Sequence, residues 1–434
     1  MRKTILKISV LAAAVHLVVP GSALATNGYS SHGFGTRSKA MAGAGVAVGL
    51  DALSAGTNPA AMAVVGDRVD VGVSLFAPDR GFTADPVPAG QNCPPTGAGQ
   101  PGCITAGQYD SENSVFLIPS FGWNKSLDSE SSVGISVAGN GGMNTQYNKA
   151  VFGNFNNPAG QASSPTGIDL SQLWIGPSYT RRVADGQWLG IMPVFALQRL
   201  KITGLEPLRA YSQSPADVSN NGYEWSYGYG LRLGWLGQVT NQLSLGASYQ
   251  TRTYMTRFEK YAGILAGQGD FDVPPTLIVG LSYKATPNLT VLLDFQHIWY
   301  GDVKALANSG APTGPFNLGG DDGLGFGWKD QSIIKLGAEW KYNPDWTLRA
   351  GYSHATAAFP GSQAFFNILA PATVQDHLTA GFSYRLNSSD EISTALTHAF
   401  DKRVSGSNPL FTGAQTGYVE MNQTELEVSW SRRF

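Results

Sequence analysis

Charge is scarce in this sequence. Only 14% of its 434 residues are Asp, Glu, Lys or Arg, and the formal net charge is −2. A balance so near zero gives no footing for nucleic acid binding. Outside the N-terminus there is no apolar run of about 18 residues, which argues against helical membrane spans. Histidine occurs six times, and His16, His32, His297, His354, His377 and His398 are scattered. No Ser–His–acid cluster is visible, so the nucleophile and placed base that a hydrolase needs are lacking. The alternation described below turns three of the last four histidines outward and His377 inward. No nucleotide motif, cofactor site or metal-ligand cluster appears, and no enzyme is expected.

What is abundant is glycine, with 53 residues, and aromatics, at 11%. Residues 1–25 read as a secretory signal. Arg2 and Lys3 open it, Ile8 to Val19 form its apolar core, and Ala23-Leu24-Ala25 is the small-residue cleavage site. In an exported protein the only two cysteines, Cys93 and Cys103 within NCPPTGAGQPGC, read as a disulfide staple.

From Asp67 onward apolar residues alternate with polar or small ones, the period of a strand. Val69, Val71, Val73 and Leu75 share one face. The pattern is sharpest at Tyr223, Trp225, Tyr227, Tyr229, Leu231, Leu233 and Trp235. Runs near 113–125 and 188–200 are less regular, with apolar residues on both faces. The count is 14 strands. Six connections are short, around 127–128, 184–186, 238–241, 286–288, 343–345 and 387–390. Seven are long: 78–112, 143–168, 201–222, 258–275, 301–329, 356–375 and 403–418. Short and long alternate strictly, the pattern of an antiparallel outer-membrane barrel with both termini in the periplasm. The last strand carries Leu426, Val428, Trp430, Arg432 and Phe434 on one face, and a terminal aromatic resembles the signal by which such barrels are recognised for insertion. Outward positions meet lipid. Inward positions carry Arg232, Arg252, Lys284, Asp294, Lys335, Glu339, Arg349, Arg385, Glu425 and Glu427, expected to pair in ladders along a wet interior.

The fold expected is therefore all-β, a 14-stranded antiparallel transmembrane barrel over 67–434. Fourteen strands lie between the eight that fill themselves with side chains and the 16 or more that leave a channel. The small-residue segment 26–66, too glycine-broken to cross a bilayer as a helix, is expected to plug that lumen.

The stretches TNGYSSHGFGTRSKAMAGAG (26–45) and LDALSAGTNPAAM (50–62) bring a family into view. So do SYGYGLRLGW (226–235), LGASYQTRTYM (245–255), GDFDVPPTLIVGLSYK (269–284) and GWKDQSIIKLGAEWKYNPDWTLRAGYS (327–353). Together and in order they resemble the FadL/TodX-type outer-membrane channels over nearly the whole mature chain. Thr26, Asn27 and Gly28 open the plug, and Asn58-Pro59-Ala60 matches the family's Asn-Pro-Ala element there.

The resemblance implies passive uptake of hydrophobic molecules, most often long-chain fatty acids and in one branch aromatic hydrocarbons. A ligand would land between the third and fourth outer loops, enter a pocket near the plug's N-terminus, and leave through a gap at a kinked third strand. Matching positions are Leu205, Leu208 and Tyr211 in the third long loop. In the fourth they are Phe258, Tyr261, Ile264 and Leu265, spaced for one face of a short helix. Apolar loop side chains require a reason, and a landing site or mutual packing of the loops supplies one. Phe365, Phe366, Ile368 and Leu369 in the sixth loop pose the same question. Gly139-Asn140-Gly141-Gly142 in the third strand stands where the opening would lie, since strand glycines mark bulges or bends; the alternative is an ordinary glycine-rich turn into the second long loop. Lys329, Lys335 and Arg199 are the candidates for a carboxylate head group. The partners expected are this ligand, outer-membrane lipid and lipopolysaccharide, and the barrel-assembly machinery, with the protein a monomer in a Gram-negative outer membrane. The rival readings are a polar-solute porin, export of oxidised lipids, and a barrel enzyme.

Overall fold

The structure is a computed structural model of the chain and describes residues 26–89, 102–155, 160–310, 317–409 and 414–434. The signal segment 1–25 and Cys93 lie outside the described residues. Cys103 is fully buried and disulfide-bonded.

Fourteen long strands form one closed antiparallel sheet. They are β1 (Arg68–Ala84), β2 (Phe116–Ser126), β3 (Ser131–Tyr147), β4 (Thr166–Ala184), β5 (Gln187–Thr203), β6 (Glu224–Gln238) and β7 (Leu243–Gln250). After these come β8 (Thr276–Lys284), β9 (Leu289–Ile298), β10 (Gln331–Lys341), β11 (Trp346–Ala355), β12 (Asp376–Arg385), β13 (Asp390–Ser407) and β14 (Thr416–Arg433). Each strand pairs with the next, and β14 returns to β1 from Gly417 opposite Ala84 to Arg433 opposite Arg68. All six short connections fall on one rim, where Phe434 N donates to Asp67 O at 3.3 Å.

Alternation sets the two faces. On β1, Val71, Val73 and Leu75 are exposed while Asp70 and Ser74 are buried. On β14, Leu426, Val428 and Trp430 are exposed while Glu425 and Glu427 are buried. The phase then reverses toward the long-loop rim. Beyond Leu75 the inward positions Phe76, Phe82 and Ala84 are the apolar ones. A strand that has left the bilayer has no lipid face, and its inner face lines an apolar chamber among the loops. Hence β1, β3 and β13 run past the boundaries expected from the sequence, to Ala84, Tyr147 and Ser407. At the protruding ends polar pairs such as Arg403–Glu420 (2.7 Å) hold the ladder instead.

The N-terminal segment 26–66 packs against the inward face of the wall. It has a two-residue ladder (Thr26–Asn27 with Ser30–Ser31), a helical turn Thr36–Lys39, and 3-10 turns Ser54–Gly56 and Pro59–Val64. Its alanines at 40, 42, 44, 52, 55, 60 and 61 are completely buried. Small residues on one side meet glycine on the other. A Cβ on Gly190 would stand 2.2 Å from Ala60 N, and one on Gly246 2.2 Å from Val46 O.

Candidate functional site

The inward charges hold the segment rather than forming ladders along a wet lumen. Lys39 Nζ lies 2.5 Å from Glu425 Oε1 and 2.6 Å from Glu427 Oε2, all three side chains buried. Burial alone would lower the Lys39 ammonium, but the two glutamates outweigh it and hold the group above the ordinary lysine range. Arg37 pairs with Glu391. Asp294 Oδ2 accepts from Gly45 N (2.8 Å) and Val46 N (2.9 Å), and Lys335 Nζ donates to His32 O at 2.7 Å. Glu339–Arg349 (2.8 Å) is the wall pair the expected ladders describe. Lys284 and Arg385 have inward parity but end exposed at the short-turn rim.

Asn58 closes the other end of the segment. Its Nδ2 donates to Val46 O (2.7 Å) and to Trp235 O of β6 (2.8 Å), while its Oδ1 accepts from Ala60 N (3.0 Å) and caps the Pro59–Val64 turn. Pro59 fits that cap because the first turn needs no proline N–H. At the other end, Tyr300 OH donates to Asn27 O at 2.6 Å. Tyr300 and Trp328 both pack on Tyr29, and a Cβ on Gly28 would clash with the Tyr300 ring.

Three cavities lie at successive depths among the described residues, with no lining residue in common. The outer cavity, about 830 Å³ of atom-free space including its mouth, is apolar and sits among the long loops. Leu205 and Leu208 of the third long connection, Ile264 and Leu265 of the fourth, and Phe365, Phe366 and Leu369 of the sixth all line it. Phe258, Tyr261 and Ile368 pack behind it, fully buried, and half-buried Tyr211 borders the same cluster. The loops therefore pack on one another and enclose a chamber at once. The fourth connection makes a 3-10 turn, Glu259–Tyr261, extended by Leu265 N to Tyr261 O at 3.1 Å, and a separate four-residue turn, Ala266–Gly269, broken by positive φ at Gly267 and Gln268, rather than the single short amphipathic helix expected over 258–265.

Phe326 of the fifth long connection lines the outer cavity, and its ring lies 6.2 Å from that of Trp328. Trp328 lines the inner cavity, about 350 Å³ of atom-free space including its mouth, together with Thr26, Gly28, Tyr29, Arg80, Asn144 and Gln423. Tyr29 O then accepts from Gly142 N at 3.1 Å, which leads to the wall of β3.

Here the barrel ladder is interrupted. The β2–β3 pairing runs from Ser126–Ser132 only to Ser120–Ala138. A bulge between Gly139 and Gly141 shifts the β3–β4 register, and the buried Asn140 is the extra residue, bonded to Gln172. One inserted residue flips the parity of everything after it. Ser132 and Ser136 are buried before the bulge, Met143 and Tyr147 after it. Opposite Gly141 the ladder partner is Ser30 of the N-terminal segment. Below it lies a narrow third cleft, about 260 Å³ of atom-free space including open solvent, lined by Gly33, Phe34, Gly35 and Lys39, by Ile118–Ser120, and by Ala138, Gly139 and Glu427.

The three expected head-group residues do not line any of these spaces. Lys329 is exposed. Lys335 is engaged by the segment through His32 O. Arg199 faces Asp169 at 3.5 Å and lies over the Tyr223 ring at 4.2 Å. The residues that sequence reasoning missed are Arg80, Tyr300, Phe326 and Trp328. The reversal of hydrophobic phase along Phe76-Ala77-Pro78-Asp79-Arg80-Gly81-Phe82 is a signal that would have kept Arg80 on a strand.

Comparison with known proteins agrees with this geometry. A family model described as "Outer membrane protein transport protein (OMPP1/FadL/TodX)" matches residues 12–429. No curated protein matches by sequence. Among solved structures, a Pseudomonas aeruginosa FadL homologue is similar with TM-score 0.71 and 16% identity, over 94% of this chain and 100% of its own. The P. putida toluene transporter TodX is similar with TM-score 0.67 and 18% identity, over 93% and 99%. The Ralstonia pickettii toluene transporter TbuX gives 0.61 and 20%, also over 93% and 99%.

Proposed function

The chain belongs to the OMPP1/FadL/TodX family of outer-membrane transport proteins, and from that premise we propose that it takes up long-chain fatty acids by a passive lateral route. Transport of hydrophobic compounds across a Gram-negative outer membrane is the family's activity. The ligand is captured in the outer cavity, passes the Phe326–Trp328 step, rests in the inner cavity, and leaves through the wall between β2 and β3. Segment 26–66 is the plug whose movement joins the inner cavity to that gap. The channel performs no catalysis, and the concentration gradient drives it. It works as a monomer, inserted by the assembly machinery through its Phe434 terminus, with lipid and lipopolysaccharide around it.

The observation that carries this reading is the succession of cavities ending where β3 bulges away from β2. Physics favours such a route. An acyl chain crossing a water-filled lumen would expose its apolar surface, at about 25 cal/mol per Å². An apolar chamber that opens to lipid avoids that cost.

The test is saturable binding of a radiolabelled long-chain fatty acid to the purified protein in detergent, competed with toluene and with an alkane. Displacement by fatty acid alone supports the proposal. Equal displacement by all three points to hydrocarbon uptake by the same route. Absence of saturable binding overturns the reading.

A further inference from the structure

We infer that residues 317–320, the tip of the fifth long connection, form a strap that must lift before a ligand enters the outer cavity. The inference rests on capture in that cavity and names its gate.

The third and fourth long connections make a frame with a gap. They meet directly on one side, where Ser212 Oγ donates to Gly263 O at 2.7 Å and Gly263 N donates to Asp217 O at 2.9 Å. Elsewhere the fifth connection lies between them. Leu318 N donates to Tyr211 O and Gln213 N donates to Leu318 O, both at 3.1 Å, so Leu318 pairs with Ser212 in a parallel bridge. On the other side Gln268 N donates to Gly319 O at 2.7 Å, and Gly267 N to Gly320 O at 3.1 Å. Leu318 is 1% exposed and lines the cavity with Leu208 and Leu265 from the two sides of the frame. The place between the two connections where a ligand would land is therefore covered by this side chain. An apolar chamber open to water is costly, and the strap covers it at rest.

The tip is held lightly. The backbone bonds just named and an exposed side-chain bond, Gln213 Nε2 to Asn317 Oδ1 at 2.6 Å, tie it to the frame. Such bonds exchange with water at small net cost. Leu318 is the only apolar side chain of the tip. Gly319 has φ 82°, and a Cβ there would stand 2.2 Å from Ala262 O, so this close seat requires glycine.

The base of the strap is anchored separately. Asn308 Nδ2 donates to Asp321 O (3.0 Å) and Gly323 O (2.8 Å). Phe326 N donates to Ala305 O (3.2 Å) and Trp328 N to Leu306 O (2.8 Å). These bonds stay within the fifth connection. The tip can therefore lift about Gly320 while Phe326 and Trp328 keep their places at the step between the outer and inner cavities.

The experiment measures the association and dissociation rates of radiolabelled oleate on the full protein in detergent. S212C/L318C ties the strap to the frame, since directly paired residues have the spacing a disulfide needs. In the oxidised variant both rates should fall by about tenfold or more, because a closed gate blocks entry and exit alike. Reduction should restore them, with wild type under the same reductant as the control for the native disulfide. L318A weakens the roof without a crosslink and should speed both rates by about tenfold. A residue that merely touched the ligand would change dissociation and leave association as it was. Equal association rates in oxidised and reduced S212C/L318C would overturn the inference. So would an L318A variant that speeds dissociation alone. In either case saturable binding by wild type leaves capture in the outer cavity standing. Wild type without saturable binding ends both.

Discussion

Removing the Lys39 ammonium should release the N-terminal segment without unfolding the barrel. In K39M, Glu425 and Glu427 remain in the interior, 1% and 3% exposed, with the Ser74 and Thr36 hydroxyls as their remaining close donors. Taking one partner from a buried ion pair costs about 3–5 kcal/mol, because the charge left behind stays desolvated. Undocking the segment returns water to both carboxylates, so the cost falls on the docked state alone. The docking equilibrium should shift by about a hundredfold to a few thousandfold. Hydrogen exchange of the backbone over residues 36–66, with the β8–β11 ladders as internal reference, reads this directly. Protection should fall in the segment and hold in the strands. K39M/E425Q/E427Q should recover most of it, since no net charge is then left buried. Unchanged protection in K39M would refute the claim that these pairs hold the segment. Equal loss in segment and strands would show that Lys39 supports the barrel as a whole.

Two further outcomes follow from the segment's other anchors. N58A removes the cap and two donors to buried carbonyls and should destabilise docking by about 2–4 kcal/mol. N58D should be no better, although Asp is as good a capping residue, because its carboxylate would face Val46 O and Trp235 O. A full rescue by Asp in the same exchange measurement would reduce the role of Asn58 to the cap. Burial and then the nearby Asp70 charge push the Asp51 carboxyl up to about 6. The folded value lies above the unfolded one, so ionisation opposes docking. Protection of residues 50–56, corrected for intrinsic exchange, should therefore be fullest near pH 4 and decline as pH rises through about 6. D51N should flatten that decline; a decline of the same size in D51N would contradict the assignment.

The barrel was legible because lipid imposes a strict period. Outward side chains must be apolar wherever a strand crosses the bilayer, so strand number, turn order and both faces could be read from residues such as Tyr227, Leu233 and Val428. Beyond the bilayer that constraint ends, and the boundaries at Ala84, Tyr147 and Ser407 were lost with it. The apolar loop residues Leu205, Leu208, Ile264 and Leu265 stood out, since exposed apolar side chains are costly without a partner. Which cation lines the inner cavity was not legible. Lys335 and Arg199 have inward parity as Arg80 does, and only three-dimensional pairing shows that the first bonds His32 O and the second faces Asp169. The inward glycines at 190, 234, 246 and 351 carry no sign in the sequence that sets them apart from other strand glycines. They are the places where a Cβ would meet residues 41–60 of the N-terminal segment.

On the proposed route the ligand leaves through the wall beside the β3 bulge. Deleting Asn140 removes the one extra residue and restores regular pairing along β3, so β2 and β3 can close. The decisive measurement is oleate uptake by Gram-negative cells that lack their own fatty-acid channel, paired with oleate binding to the purified protein. The deletion variant should assemble and bind oleate as wild type does but no longer support uptake. Wild-type uptake by the deletion variant would contradict a lateral exit at this strand.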